Sequence, residues 1–140
     1  MMAKILYVED YEAQRDFMVW LLELCGGYEV DVACNGEEGL KKVREWHPDV
    51  VLMDIRMPGQ IDGLAAIRQL RNGPDTVDIP IIVISAWGGF EYKQQALKAG
   101  ADVYLVKPVP VDELFVAINR HLRQSSLSQG AFLGSAVERA

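Results

Sequence analysis

Apolar and polar residues follow two rhythms along this chain. Short, mostly uninterrupted apolar runs recur: Ile5-Leu6-Tyr7-Val8, a half-alternating stretch from Tyr28 to Ala33, Val50 to Met53 between Asp49 and Asp54, Ile79 to Ile84, and Asp102 to Val106. Runs of this length predict strands buried on both faces, as in a parallel sheet covered by helices. Between them the period lengthens to that of a helix. Phe17, Met18, Leu21, Leu22 and Cys25 share one stripe, Leu40 and Val43 a second, and Leu64, Ile67 and Leu70 a third. A fourth helix is predicted from Phe90 to Ala99. Val111, Leu114, Phe115, Ile118 and Leu122 give the clearest stripe of all. The end signals agree. Asn35 with Glu38 three residues on opens the second helix, Asn72-Gly73-Pro74 stops the third, and Gly100 caps the fourth.

The order is therefore βα repeated five times, which right-handed crossovers turn into an open, doubly wound α/β sheet. Ligands of such sheets sit outside the carboxyl ends of the strands. That rule points to residues 9–10, 54–56, 85–87 and 107. The domain is expected to occupy residues 1–124. Residues 125–140 lose the pattern and read as a loosely ordered tail or linker.

Composition narrows the classes. The 140 residues suit one domain. No segment approaches the ~20 apolar residues of a membrane span, and the first residues carry no secretory signal, so a cytoplasmic protein without membrane contact is expected. Cys25 and Cys34 lack metal-ligand spacing and are expected to be small buried hydrophobes in a reducing compartment. Fourteen basic residues against twenty acidic ones, for a net charge of −6, argue against direct nucleic-acid binding. Arg68 to Arg71, the densest basic stretch, reads as a solvated helix face. His47 and His121 are expected at helix ends, without a metal partner.

The strand ends carry the chemistry. The first strand ends in Glu9-Asp10, the third in Asp54, the fourth in Ser85 and the fifth in Lys107-Pro108. Three carboxylates on one rim repel one another unless a cation neutralises them, and an oxygen-only, acid-rich ligand set suits Mg²⁺. A lysine and a hydroxyl beside them can bind phosphoryl oxygens, and a carboxylate can accept a phosphoryl group as an acyl phosphate. A lone strand-end aspartate is more often a helix cap or a solvated group. It is the convergence of five such residues that favours the chemical reading.

Val8-Glu9-Asp10, Leu52 to Gly59, Asp62-Gly63, Ile84-Ser85-Ala86 and Ala99 to Pro108 resemble, in order and in register, the receiver domain of two-component response regulators. The resemblance spans residues 3–123. It implies a flavodoxin-like sheet of strand order 2-1-3-4-5. Asp54 is then the phosphoacceptor, supplied by a sensor histidine kinase or phosphotransfer protein. Asp10, Asp54 and the Arg56 carbonyl hold Mg²⁺, with Glu9 acting through its water shell. Ser85 and Lys107 bind phosphoryl oxygens, Tyr104 is the aromatic switch, and the Lys107–Pro108 bond is cis. The output surface runs from the fourth helix to the fifth, where an effector or a second copy docks. Such a protein is a signalling phosphoacceptor that catalyses only its own phosphorylation and dephosphorylation.

Some positions depart from the family pattern. Glu9 replaces an aspartate, the loop from Pro58 to Gly63 is one residue longer, and Trp87-Gly88-Gly89 follows Ser85-Ala86. Trp87 and Arg56 border the phosphoryl site, where their bulk is expected to limit water access and prolong the phosphorylated state. The alternatives are a receiver-like interaction module that is not phosphorylated, or the receiver part of a larger regulator or hybrid kinase. Enzymes on the same sheet fit less well. Glu9-Asp10-Tyr11-Glu12 would repel the phosphate of a flavodoxin, Arg56 stands where a haloacid-dehalogenase-type phosphatase needs an acid, and Gly-x-Gly-x-x-Gly is absent.

Overall fold

The computed structural model describes residues 2–56 and 62–129. The elements alternate without exception: β1 (Lys4–Val8), α1 (Glu12–Gly26), β2 (Glu29–Ala33), α2 (Gly36–Trp46), β3 (Val50–Met53), α3 (Gly63–Asn72), β4 (Ile81–Ser85), α4 (Phe90–Ala99), β5 (Val103–Val106) and α5 (Val111–Gln129). All four strand pairings are parallel and the order is 2-1-3-4-5, the flavodoxin-like arrangement.

Period-two alternation divides the core into two layers. Leu6, Val8, Val51, Met53, Ile81 and Val83 face Leu40, Val43, Ala66, Ile67, Leu70 and Ala96 of α2, α3 and α4. Ile5, Tyr7, Val50, Leu52, Ile82 and Ile84 face Met18, Leu21, Leu22, Leu114 and Ile118 of α1 and α5. Both faces of β1, β3 and β4 are therefore covered, which is why, apart from Lys4 at one end and Ser85 at the other, their residues form continuous hydrophobic runs. Fully burying a side chain such as Leu22 or Ile67, both 0 % exposed, contributes about 1.5–3 kcal/mol.

Local signals set the ends. The Asn35 side chain accepts the Glu38 N–H at 2.8 Å, and Glu38 returns to the Cys34 N–H at 2.6 Å. Helix α1 closes on Gly27 at φ +68°, with Tyr28 N–H reaching the Leu22 carbonyl at 3.3 Å, a Schellman arrangement that glycine enters without steric cost. Asp62 caps α3 through the Ala65 N–H at 2.9 Å. Gly63 is fixed by close approach. A Cβ there would lie 2.2 Å from the Asp54 carbonyl oxygen and 2.4 Å from Ile55 Cα, so only glycine lets α3 start against the end of β3.

Several expectations need correction. Both cysteines are exposed. Cys25 lies in the last turn of α1, and a 15-residue helix outruns a five-residue strand by several ångströms. Phe17 is exposed at 57 %, because α1 carries a second apolar stripe, Phe17, Trp20 and Leu24, turned away from the sheet. Val111, at the first turn of α5, is 45 % exposed. Helix α5 continues to Gln129, five residues past the boundary expected at 124. His121 is thus inside a helix, its Nδ1 2.9 Å from the Ala117 carbonyl, whereas His47 does cap α2, at φ +54°. Arg71 is no solvated residue; it ties the β4 and β5 approaches together. The lengthened loop falls on residues 57–61, outside those described. Among the described residues no helix is long and apolar enough to cross a membrane.

Candidate functional site

Parallel register brings the predicted residues to one rim. Val8 pairs with Met53, so the next residues, Glu9 and Asp54, emerge side by side; Ser85 pairs with Val106, so Lys107 emerges beside it. Glu9, Asp10, Asp54, Arg56, Ser85, Trp87 and Lys107 all line one pocket of about 360 Å³, to which Tyr11, Gln14 and Ala86 also contribute. Asp54 is 7 % exposed, Ser85 1 % and Glu9 1 %, while Asp10 is open to solvent.

The ammonium of Lys107 lies 2.7 Å from Glu9 Oε1, 2.6 Å from Gln14 Oε1 and 3.5 Å from Asp54 Oδ2. Arg56 N–H donates to Asp54 Oδ1 at 3.1 Å, and Trp87 N–H donates to Ser85 Oγ at 3.1 Å. Tyr104, a buried residue, donates its hydroxyl to the Trp87 carbonyl. The Arg56 guanidinium stacks 4.5 Å from the centre of the Trp87 ring, whose other neighbour is Tyr92, also at 4.5 Å. The Lys107–Pro108 peptide bond is cis, as expected.

Electrostatically the rim is under-compensated. Carboxylate oxygens of Glu9, Asp10 and Asp54 all lie within 4.8 Å of one another, with one ammonium against three acids. Burial pushes the Asp54 carboxyl up to about 6; the Arg56 N–H opposes the rise, Glu9's charge adds to it, and Lys107 again opposes it. Burial and then Glu9 raise Asp10 as well. Burial also works against the charged form of Glu9, but hydrogen bonds from Lys107 and Asp10 outweigh it, and its carboxyl is held below the ordinary value. A divalent cation would offset the excess negative charge among the three carboxylates, and hard carboxylate oxygens suit one.

The rim also includes residues that the strand-end rule did not reach. Gln14, four residues after Asp10 on the first turn of α1, holds Lys107. Tyr7 donates its hydroxyl to Glu9 Oε1 at 3.0 Å, and Arg15 Nη1 holds the Glu9 carbonyl at 2.8 Å. Tyr92 backs Trp87. Period two could have flagged Tyr7, a phenol two residues before Glu9 on the same face of a buried strand.

Known proteins resemble this chain in sequence and in fold. The chain is 37 % identical over 131 residues to the response regulator MprA of Mycolicibacterium vanbaalenii, covering 94 % of this chain and 55 % of the relative. It is 36 % identical over 125 residues to the phosphate regulon transcriptional regulatory protein PhoB of Rhizobium meliloti, covering 89 % and 54 %. The chain thus spans about half the length of these curated relatives. Among solved structures, the chemotaxis protein CheY4 of Vibrio cholerae superposes with a TM-score of 0.79 at 31 % identity, covering 86 % of this chain and 98 % of that one. A CheY-like receiver domain protein from Methanospirillum hungatei gives 0.83 at 28 %, covering 91 % and 99 %. Residues 5–119 match the response regulator receiver domain, and with the sheet order and the acidic rim in place, the chain belongs to that family.

Proposed function

We propose that this receiver accepts a phosphoryl group on Asp54 from a histidine kinase or phosphotransfer protein. The observation that carries the reading is the placement of Asp54 Oδ2 3.5 Å from the Lys107 ammonium, at the floor of a pocket it shares with Ser85, Glu9 and Asp10. The bond from phosphorus to the donor's imidazole nitrogen breaks as the bond to the Asp54 carboxylate forms. Lys107 stabilises charge on one phosphoryl oxygen and Ser85 donates its hydroxyl to another.

Asp10 and Asp54, with the Arg56 carbonyl, are the residues to hold Mg²⁺, and Glu9 its water. The ion supplies charge neutralisation among phosphoryl oxygens and carboxylates. Asp54 must be ionised to attack. Its raised pKa falls as a cation enters the rim, so cation binding and readiness for transfer are coupled.

Trp87 is the connection to the surface. Its N–H bonds Ser85 Oγ and its carbonyl accepts the Tyr104 hydroxyl. A serine drawn toward a phosphoryl oxygen therefore disturbs the same residue that Tyr104 holds. Helices α4 and α5 and strand β5 leave Phe90, Leu97, Val106 and Val116 exposed, apolar surface suited to an effector or a second copy.

Acetyl phosphate with Mg²⁺ should label the wild type, as read by intact mass, while Asp54→Asn and EDTA-treated samples stay unlabelled. A wild type that never takes up the label would leave the unphosphorylated interaction module as the better reading.

A further inference from the structure

We propose that Tyr7 is a positioning residue for the acidic rim, its buried hydroxyl fixing the Glu9 carboxylate in the orientation that serves the cation. The inference rests on the Mg²⁺ reading above.

Tyr7 is 1 % exposed and Glu9 1 % exposed. The Tyr7 ring stands over an apolar groove of about 610 Å³ whose lining includes Phe17, Met18, Leu21, Ile84 and Leu114. A buried phenol needs an acceptor, and here that acceptor is Glu9 Oε1, at 3.0 Å. The same oxygen takes the Lys107 ammonium at 2.7 Å. Oε1 is thereby committed to two donors. Oε2 receives the Tyr11 N–H at a long 3.4 Å, and with Asp10 and Asp54 engaged by a cation it has the capacity to take that cation's water.

This addresses the departure at position 9. A glutamate has one more rotatable bond than an aspartate and loses more freedom when its carboxylate must stay in one place. The lysine alone does not settle the orientation, because its ammonium also contacts Gln14 and Asp54. Tyr7 supplies a second, rigid donor, set on a sheet strand in register with Glu9. Shortening the acid by one methylene, about 1.5 Å, takes it out of the hydroxyl's reach.

The test is Mg²⁺ binding without any phosphodonor, by titration calorimetry, on the wild type, Tyr7→Phe, Glu9→Asp and the double variant. Tyr7→Phe keeps the ring and removes only the hydroxyl, and urea unfolding verifies that each variant is folded. The expected result is a roughly fivefold weaker Mg²⁺ affinity for Tyr7→Phe, the size of one hydrogen bond, and no further change when Tyr7→Phe is added to Glu9→Asp. Equal weakening in both backgrounds would make Tyr7 a structural residue and overturn the assignment. Wild-type binding matched by Tyr7→Phe sinks this inference alone, whereas a wild type that binds no Mg²⁺ sinks the cation reading and the inference with it.

Discussion

At the amino-terminal rim of the sheet Arg71 is consumed by the fold, while at the carboxyl rim three acids face one lysine. The Arg71 guanidinium donates to the carbonyls of Gly100, Val77 and Ile79 at 2.8, 2.9 and 2.7 Å and to Asp102 Oδ2 at 2.9 Å. That Asp102 oxygen also accepts the Ile81 N–H at 2.8 Å. Nearby, Asp49 accepts the Lys4 N–H at 2.8 Å, and its own N–H returns to the Lys4 carbonyl at 2.8 Å. Arg71 and Asp102 pair there, and the donors named have acceptors. At the other rim Glu9, Asp10 and Asp54 leave excess negative charge around a pocket. A polar cluster that closes on itself holds strands together; one that stays out of balance is waiting for a ligand.

If that contrast holds, breaking the closed rim costs stability and little else. Arg71→Met should lower the unfolding free energy by about 2 kcal/mol, since it strips donors from the carbonyls of Gly100, Val77 and Ile79 as well as from the exposed Asp102 carboxylate. Urea unfolding measures the loss, and labelling by acetyl phosphate, per folded molecule, should match the wild type. A labelling defect in a variant of normal stability would mean that the two rims are not separable.

Breaking the open rim should do the reverse. The folded-state pKa of Asp54, about 6, lies above the ordinary 3.8, so the folded protein binds its proton more tightly than the unfolded chain does. That contribution is fully present below the ordinary value and is lost as pH rises through 6. In EDTA, Asp54→Asn should therefore stabilise the protein by on the order of 2 kcal/mol at neutral pH. The gain should fade between pH 6 and 4, and Mg²⁺ should narrow it by stabilising the wild type. Thermal unfolding across that range measures it. A neutral-pH loss of stability in Asp54→Asn would show that the carboxylate is already compensated.

The same contrast marks how much was legible in the sequence. Strands announced themselves as apolar runs because both faces are covered, and parallel connection order then put Glu9, Asp10, Asp54, Ser85 and Lys107 on one rim. Strand order itself came from resemblance, since periodicity does not say which buried strand neighbours which. Arg71 was misread because a helical arginine looks solvated until the loops before β4 and β5 fold around it. Tyr7 and Gln14 were missed for a related reason. Their roles depend on side-chain reach across elements, which spacing along one element does not encode. Phe17 was assigned to the core because α1 has two apolar stripes and the pattern does not rank them.

The smallest expected effect lies at the mouth of the open rim and sharpens what an occupied site would do. Arg56 and Trp87 were expected to border the phosphoryl site, and they line the Asp54 pocket stacked against each other at 4.5 Å. The Tyr92 ring also packs against the indole, centroid to centroid at 4.5 Å. Each ring or guanidinium keeps the other in place, so the pair is expected to act as one cover rather than two. Replacing both by alanine should speed loss of the Asp54 phosphoryl group by roughly three- to tenfold, about 1 kcal/mol of barrier. Each single replacement should give most of that change, because removing either partner releases the other. Dephosphorylation rates of the wild type, Arg56→Ala, Trp87→Ala and the double variant form the cycle that checks it. Additive singles would mean that the stacking is incidental, and a wild type that loses its phosphoryl group faster than the double variant would mean that the cover does not restrict water at all.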